Sequence, residues 1–539
     1  MPKVKYLLVK LGTWLRKSIL FLADALLHPY PMTSPTPRLS KALLADKRAD
    51  DGPVALPDPA VFGLPEKVLQ FGTGVLLRGL QDYFIDRANR QGLFNGRVVV
   101  VKSTDAGGVD AFGAQDSLFT HCIRGVEKGR PVEELVVNAA ISRTLSARGD
   151  WPAVLACAHN PAMKIVLSNT TEIGIQLVED NVFGAPPVSF PGKLTAFLYE
   201  RFKAFGGAPD SGMVVIPCEL VTDNGRLLKE IVLEQARQNQ LNPAFAGWLT
   251  AHNTFCNSLV DRIVPGKPDA AETEKLADRL GYHDDLLTVS EVYRLWAIEG
   301  DARVEAVLSF AGADDGVVIS PDITPYRERK LRLLNGTHTI SVGLGYLCGL
   351  ETVGDCMNHP GMGPFIAHVA LREIVPAVPV DEESATAFAG AVLDRFRNPY
   401  LVHPLINITL QYTSKMKMRN VPTLLNYYRK YQAAPPYFAL GFAAYLLFMR
   451  AVQAEDGKYF GRRAGQLYPI SDQFAPYFHE KWQTFREDAA EPFVAGILSD
   501  AALWGTDLSQ LPDFGKVVAG HLLNLLRRGA VVTLREWEG

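Results

Sequence analysis

The chain has 539 residues, of which 47% are hydrophobic and 21% are charged, and its formal net charge is -3. This composition is typical of a folded enzyme with two domains, and it excludes a fibrous or disordered chain. The near-zero net charge argues against a nucleic-acid partner, since phosphate binding requires a strongly basic face. We therefore expect a small-molecule partner.

The cysteines and histidines predict neither disulfides nor a metal site. Six cysteines are scattered without a CxxC pair, as expected for reduced thiols in a cytoplasmic protein. The eleven histidines form no HExxH, HxH or Cys/His ligand set. We expect no metal.

Residues 1–60 are predicted to be an N-terminal extension and linker. The first 31 residues are amphipathic, and basic residues interrupt their apolar run too often for a membrane span. A surface helix, or an upstream extension before a functional start near Met32, fits better. Residues 32–60, rich in proline, serine and charge, are predicted to be linker. No membrane partner is expected, although Trp14 and the basic residues leave a peripheral membrane protein as an alternative.

Residues 61–320 are predicted to form a Rossmann-type dinucleotide-binding domain. An apolar run at 68–71 meets a glycine turn, then a helical pattern, then a β-branched run at 98–101, which together predict a βαβ unit. Further strand-like runs at 163–172 and 213–221, with a helical segment at 191–205 between them, indicate an open parallel sheet.

Residues 321–539 are predicted to form a second, mainly α-helical domain. Long amphipathic stretches dominate there, and strand-like runs are few. The predicted fold class is therefore α/β, a Rossmann-type dinucleotide-binding domain followed by a mainly α-helical C-terminal domain. The clearest helical stretches are residues 370–378, 383–398 and 513–528.

The glycine turn after the first strand is a candidate cofactor site. Backbone N–H groups at such a turn can approach a pyrophosphate, and a nearby arginine can add a phosphate contact. The third glycine of the usual motif is replaced by Leu77, so a tight turn without a ligand stays open as an alternative. The sequence does not distinguish NAD from NADP. The candidate cofactor-binding residues are Phe71, Gly72, Thr73, Gly74 and Arg78.

The segment "RERKLRLLNGTHTI" places a lysine, an asparagine and a histidine in one sector of a predicted helix. At about 100° per residue, His338 lies about 80° and Asn335 about 140° from Lys330. Hydride transfer between an alcohol and a ketone needs an acid–base group and donors that polarise the oxygen. A lysine can serve as the acid–base group when burial and nearby donors loosen its proton. The alternative is a helix with an exposed lysine and incidental polar residues.

The stretch "DITPYRERKLRLLNGTHT" resembles the catalytic helix of the mannitol dehydrogenase family of polyol-specific long-chain dehydrogenases, whose pattern is Lys, four residues, Asn, two residues, His. The resemblance covers roughly residues 65–530. Within the family, the chain resembles the tagaturonate reductases, also called altronate oxidoreductases. The motifs that carry this subfamily resemblance are "SNTTEIG", "IPCELVTDNG", "LVDRIVPG", "RLGYHDD" and "RFRNPYLVHPL".

The resemblance implies NAD-dependent, metal-independent reduction of D-tagaturonate to D-altronate in hexuronate catabolism. It implies that Lys330 is the acid–base group and that Asn335 and His338 polarise the carbonyl. Asp261 matches an acidic position that lines the family's site, although an ion pair with Arg262 or a helix cap remains an alternative. Mannitol dehydrogenases have an asparagine where this chain has Leu220, which argues against mannitol.

A hexuronate carries a carboxylate, which calls for a cationic partner. The candidates are Lys415, Lys417, Arg419 and His403, of which Lys415 is the preferred substrate-binding residue. A solvated charged face is the alternative. Two other enzymatic activities stay open, fructuronate reductase and a mannitol-type polyol dehydrogenase. A non-catalytic NAD-sensing protein is the alternative outside enzymes.

Overall fold

The structure, a computed structural model, describes residues 36–47, 52–102, 110–170 and 173–536. Its central element is a six-stranded sheet in which every neighbouring pair is parallel. The inner strands carry buried apolar runs, such as residues 98–101 and 165–167, as parallel strands covered on both faces require. In spatial order they are Ile141–Ser146, Arg97–Lys102, Glu66–Phe71, Ile165–Ser168, Val214–Pro217 and Thr254–Phe255.

The strand order reverses beside the strand that carries the glycine turn. The two strands that follow Glu66–Phe71 in this sheet lie on one side of it. The next strand of the sheet, Ile165–Ser168, pairs with the other side of Glu66–Phe71, and the remaining strands follow outward from there. Open α/β sheets bind ligands at the carboxyl ends of the strands at such a switch point. The helices of this half are Val75–Gly79, Gln81–Arg90, Asp110–Ala114, Trp151–Ala156, Phe190–Ala204, Asn224–Gln238, Pro243–His252, Ala270–Leu280 and Ala302–Val307.

Two smaller sheets extend this half beyond the predicted parallel sheet. The first contains the antiparallel hairpin of Phe119–Glu127 and Arg130–Asn138, flanked by Val54–Ala55 and Thr288–Ser290. The second, which carries the candidate residue Asp261, consists of Ser258–Asp261, Leu295–Glu299 and Val317–Ser320.

Part of the segment predicted as linker is packed onto the sheet half of the molecule. Leu39 is fully buried, and it exchanges backbone hydrogen bonds with the region of His283. The short helix Lys41–Asp46 is capped by Ser40, and Val54–Ala55 pairs with the hairpin. The linker prediction is therefore wrong for these residues, because their leucines and valines bury apolar surface that a solvated linker would expose. The predicted helix before Met32 lies outside the described residues.

The half from residue 321 onward is mainly helical, as predicted, and it has its own core built from residues 333 to 534. One antiparallel three-stranded sheet, Gln453–Glu455, Lys458–Arg463 and Gln466–Pro469, was not predicted. The predicted domain boundary near residue 320 stays a prediction. The α-helices are Thr324–Arg329, Thr337–Leu347, Val353–Asn358, Met362–His368, Glu382–Phe396, Leu405–Ile408, Tyr412–Lys415, Val421–Tyr431, Pro436–Phe448, Ala475–Gln483, Ala490–Leu498, Ala501–Trp504, Phe514–Arg528 and Ala530–Glu536.

Three π-helical segments interrupt these helices, at Lys330–Gly336, Val369–Ile374 and Met416–Asn420. In the part of the chain that the structure describes, no helix is both long and apolar enough to cross a membrane. All six cysteines lie within the described residues, and each is a free thiol, as predicted.

Candidate active site

The Lys330 helix, residues 324–347, is continuous but not uniformly α-helical. It begins as the α-helix Thr324–Arg329, widens into the π-helical turn Lys330–Gly336, and continues as the α-helix Thr337–Leu347. The α-helical angles assumed for Lys330 and Asn335 are therefore wrong. A π-helix closes its hydrogen bonds from i to i+5, so Asn335 lies about one turn above Lys330 on the same face.

A second π-helical turn, Met416–Asn420, packs against the first. The Asn420 side-chain amide donates a hydrogen bond to the carbonyl of Gly336 at 3.0 Å. In the opposite direction, the Arg332 guanidinium donates to the carbonyls of Met418 and Arg419. Side chains thus satisfy backbone groups at the two irregular turns, which is how such turns persist in a packed core.

Lys330 points back toward the sheet half of the molecule. Its Nζ donates to the Val260 carbonyl at 2.8 Å and lies 3.7 Å from Asp261 Oδ1. Both partners belong to the strand Ser258–Asp261. The Lys330 side chain keeps 18% of its surface exposed, so a small molecule can reach it.

Asp261 lies beside Lys330, but its carboxylate is already engaged. Arg395 grips it in a bidentate ion pair with N–O distances of 3.0 and 2.9 Å. Burial alone would raise the pKa of Asp261, yet Arg395 and Lys330 hold it below its usual value. The ion pair with Arg262 considered from the sequence does not form, since Arg262 binds the backbone carbonyls of Glu291 and Gly79.

Arg395 and Glu291 were missed by the sequence reasoning. Arg395 reaches from the helix Glu382–Phe396 to both Asp261 and Glu291, and its distances to the two Glu291 oxygens are 3.0 and 2.8 Å. Its side chain is only 3% exposed. Arg395 is 104 residues from Glu291 and 134 residues from Asp261 in the sequence, and no local pattern predicts contacts over such separations. The partial signal was the motif "RFRNPYLVHPL", in which Arg395 is the first residue.

His338 lines a cavity of about 570 Å³ that also contacts Arg395, Phe396 and His403. Its ring centroid lies 3.9 Å from that of Phe396 and 5.1 Å from that of His403. Burial, followed by the electrostatic effects of His403, Arg395 and Arg419, holds the pKa of His338 well below its ordinary value. His338 is therefore neutral at pH 7, and one ring nitrogen carries a hydrogen that it can donate.

Asn335 is half-buried on the face that it shares with Lys330. Its backbone carbonyl accepts a hydrogen bond from the Thr339 hydroxyl at 2.7 Å. Within the described residues its side-chain amide has no hydrogen-bond partner, so its N–H groups are available to a ligand.

The candidate carboxylate-binding cations do not all lie on the same side of the structure. Arg419 turns toward the Lys330 helix and donates to the Thr339 hydroxyl at 3.0 Å, while its buried Nε has no partner among the described residues. Lys415 donates to the Ile408 carbonyl and lies close enough to His403 to lower its pKa, after burial. Lys417 points away and binds the carbonyl of Ala502. Arg419 and Lys415 thus lie on the His338 side.

The glycine turn has the conformation that a close backbone approach requires. Gly72 has a φ of +127°, and a Cβ there would lie 2.9 Å from Leu77 Cδ1 and 3.0 Å from the Asn169 carbonyl oxygen. Only glycine fits such a position without strain. Gly74 precedes the helix Val75–Gly79, and a Cβ at Gly74 would meet no atom within 4 Å. Among the described residues, the Cβ position of Gly74 is therefore free of protein contacts.

Arg78 and Phe71 support this turn from beneath. Arg78 is buried and donates to the Thr73 carbonyl at 2.7 Å and to the Thr288 hydroxyl at 3.1 Å. The Phe71 ring is fully buried against Phe190, so it can approach a cofactor only through its backbone. Both residues therefore shape the turn, and a phosphate contact by Arg78 stays a prediction.

The turn and Lys330 are connected through the structure. The carbonyl of Gly79, at the end of the helix that follows the turn, accepts from Arg262, the chain neighbour of Asp261. Thr170, at the carboxyl end of its strand, donates through its N–H and its hydroxyl to the buried carboxyl of Glu219. Thr171, Glu172 and residues 103–109 lie outside the described residues.

A glycine turn at the switch point of a parallel sheet, together with a helix that carries a lysine, an asparagine and a neutral histidine, is the combination expected of a dinucleotide-dependent dehydrogenase. In the described residues, no group of three or more His, Cys, Asp or Glu side chains could hold a metal ion. The comparisons agree with this class. The family model for the mannitol dehydrogenase Rossmann domain matches residues 66–311, and that for the mannitol dehydrogenase C-terminal domain matches residues 322–526.

Curated relatives extend the match along most of the chain. An altronate oxidoreductase from Pectobacterium atrosepticum is 38% identical over 471 residues, covering 86% of this chain and 95% of the relative. One from Halalkalibacterium halodurans is 40% identical over 473 residues, covering 86% and 92%. The chain belongs to the mannitol dehydrogenase family, whose members are oxidoreductases that act on CH–OH groups.

Two solved structures share the fold. A Pseudomonas fluorescens mannitol 2-dehydrogenase in ternary complex with NAD and D-mannitol matches with a TM-score of 0.63 at 24% identity, covering 93% of this chain and 99% of that one. A substrate-free D-sorbitol dehydrogenase matches with a TM-score of 0.72 at 20% identity, covering 92% and 100%. The Rossmann-type domain and the helical C-terminal domain are thus confirmed.

Proposed function

We propose that the protein catalyses the NAD-dependent interconversion of D-tagaturonate and D-altronate in the cytoplasm. The observation that carries this proposal is the pair of cations, Lys415 and Arg419, that lies on the His338 side of the site. A neutral polyol gives no reason for two partly buried cations there, whereas the carboxylate of a sugar acid does. The curated relatives named altronate oxidoreductases support the same substrate.

In this proposal Lys330 is the acid–base group. During reduction, Lys330 Nζ gives its proton to the carbonyl oxygen as that oxygen gains negative charge, and during oxidation it takes the proton from the hydroxyl. The nicotinamide cofactor, when bound, supplies the hydride for reduction and accepts it in oxidation. The Val260 carbonyl and Asp261 hold Nζ in place in both directions of the reaction.

Asn335 and His338 polarise the same oxygen. The free amide of Asn335 and the neutral ring of His338 are both donors on the side of the helix that carries Lys330. Donors fixed in advance stabilise the developing oxyanion without reorganising water. A neutral histidine also does not compete with Lys330 as a proton source. Leu220, which is 63% exposed, offers no further donor.

The cofactor would be held by the glycine turn. The Gly72 N–H already donates to the Val101 carbonyl, and the Phe71 carbonyl accepts from the Asn169 N–H, so these two residues would set the shape of the turn. The backbone of Thr73 and Gly74 would form the approach surface, and Arg78 keeps Thr73 in position. The position of the glycine turn beside the switch point of the parallel sheet supports this proposal, since open α/β sheets bind dinucleotides there.

A substrate comparison tests this function. Purified protein with NADH is offered tagaturonate, fructuronate and fructose separately, and the absorbance of the reduced cofactor is followed. Turnover of tagaturonate well above the other two supports the proposal. Preference for fructuronate or for fructose would replace it by fructuronate reductase or by a polyol dehydrogenase. NADH binding without turnover of any of the three would favour an NAD-sensing protein.

A further inference from the structure

The charged groups around Lys330 form an alternating row. Lys330 lies beside Asp261, Asp261 forms an ion pair with Arg395, and Arg395 forms a second ion pair with Glu291. The side chains of Asp261, Arg395 and Glu291 are 5%, 3% and 1% exposed, so solvent screens their interactions weakly. Two positive and two negative charges alternate along this row.

The row crosses between the two halves of the molecule. Lys330 and Arg395 belong to the helical half, whereas Asp261 and Glu291 belong to the sheet half. A neighbouring contact, from the Gly129 N–H to the Asp394 carboxylate at 3.2 Å, seats the same helix on the hairpin. The position of Asp261 relative to Lys330 therefore depends on Arg395.

We propose that Arg395 is a positioning residue that acts through Asp261 on the proton of Lys330, a proposal that rests on the acid–base role given to Lys330 above. Asp261 favours the charged ammonium of Lys330, and Arg395 opposes that effect by neutralising the same carboxylate. The bidentate grip also fixes the carboxylate 3.7 Å from Nζ, beyond a close contact.

Other titratable groups lie beside the row, and none of them is altered in the Asp261 and Arg395 variants proposed below. The Tyr293 ring lies 4.4 Å from the Arg395 guanidinium, and burial raises the pKa of Tyr293. Arg329 and His338 approach from the Lys330 helix itself, where Arg395 helps to lower the pKa of His338. None of these groups is a direct ion-pair partner of Lys330 or Asp261.

Two substitutions shift the Lys330 proton in opposite directions. Asp261→Asn removes the negative charge and leaves Arg395 bound to Glu291, so Lys330 should lose its proton at lower pH. Arg395→Met removes the opposing cation and leaves both carboxylates uncompensated, so Lys330 should keep its proton to higher pH. We expect each displacement to be about one pH unit or more. Arg395→Lys, which keeps the charge, should return most of the way to the native midpoint.

The test measures the amine directly. Each protein is treated with traces of acetic anhydride at a series of pH values, and acetylation of Lys330 is quantified by mass spectrometry of its peptide. Only the deprotonated amine reacts, so the midpoint reports the Lys330 proton without substrate or cofactor. Arg294→Met is the matched control, because it removes an arginine from an ion pair with the buried Asp314 away from Lys330 and should leave the midpoint unchanged.

The outcomes separate this inference from the proposed function. Displacements of opposite sign for Asp261→Asn and Arg395→Met, with recovery in Arg395→Lys, support the positioning role. Unchanged midpoints, or displacements of the same sign in variants that remain folded by circular dichroism, would overturn it. A protein that turns over none of the sugars would contradict the proposed function. The acetylation midpoints would still show whether Asp261 and Arg395 control the proton of Lys330.

Discussion

Asn420 and Gly336 are joined by a hydrogen bond of 3.0 Å from the side-chain amide to the backbone carbonyl, and this bond links the two π-helical turns of the site. One turn begins at Lys330 and contains Asn335, and the other contains Arg419. The proposed acid–base and carboxylate-binding residues are thus fixed relative to each other through their backbones. Such fixation is what an active site needs from its supporting structure.

Replacing Asn420 by leucine should disturb both turns. The substitution keeps the volume but leaves the buried carbonyl of Gly336 without its donor, at a cost of about 1–3 kcal/mol. We expect a lower thermal midpoint and a raised KM for the sugar acid. Thr423→Val is the control, since the Thr423 hydroxyl makes only a long bond of 3.3 Å to Arg419. Equal effects of the two variants would contradict the linking role of Asn420.

Two alanine substitutions in the glycine turn should have different consequences. Gly72→Ala places a Cβ 2.9 Å from Leu77 in a left-handed backbone, so both stability and NADH affinity should fall, with a strain cost of about 1–3 kcal/mol. Gly74→Ala meets no protein atom within 4 Å, so the thermal midpoint should be unchanged while NADH binding weakens. Titration of cofactor fluorescence measures the affinity. Native NADH affinity in Gly74→Ala would remove that residue from the cofactor site.

The carboxylate contact should depend on Arg419 and Lys415 but not on Lys417. Loss of a charged hydrogen bond costs about 1.5–3 kcal/mol, so Arg419→Leu or Lys415→Ala should raise KM for tagaturonate about 10- to 150-fold. KM for a neutral ketose should change far less. Lys417→Ala is the matched control, since Lys417 binds the Ala502 carbonyl on the other side. If all three variants leave KM for tagaturonate unaltered, the carboxylate binds elsewhere.

Stability should fall as the pH drops from 7 to 5. The pKa values of His338 and His403 are lowered from their usual 6.5, mainly by burial, so near pH 6 the unfolded chain binds more protons than the folded protein. The stabilisation is complete above about pH 6.5 and is lost on acidification, by up to about 1.4 kcal/mol per pH unit for each group. Urea unfolding of His338→Asn should show a shallower pH dependence than the native protein. Identical slopes would contradict the buried, neutral state of His338.

The sequence predicted the elements whose local pattern matches their final environment. The β-branched run at 98–101 became a buried parallel strand, and the amphipathic stretch at 383–398 became the helix Glu382–Phe396. The Lys330 helix was also found, because leucines mark its buried side. Its π-helical turn was not, since the bond from Asn420 that supports it comes from 84 residues away.

The site was predicted less completely than the fold, for the same reason. Lys330, Asn335 and His338 share one segment, so their spacing alone suggested joint chemistry. Arg395 meets Asp261 and Glu291 only after the two halves pack together, and a chain pattern does not encode that meeting. The packed residues near Leu39 were mistaken for linker because prolines and charges surround their few apolar side chains.

The most direct test of the central claim is a single-turnover measurement of NADH oxidation with tagaturonate, comparing the native protein with Lys330→Ala. If Lys330 transfers the proton, the rate should fall by about 10²- to 10⁴-fold and should recover in part when methylamine is added. Lys417→Ala serves as the control and should match the native rate. A Lys330→Ala protein that reduces tagaturonate at the native rate would contradict the assignment of Lys330 as the acid–base group.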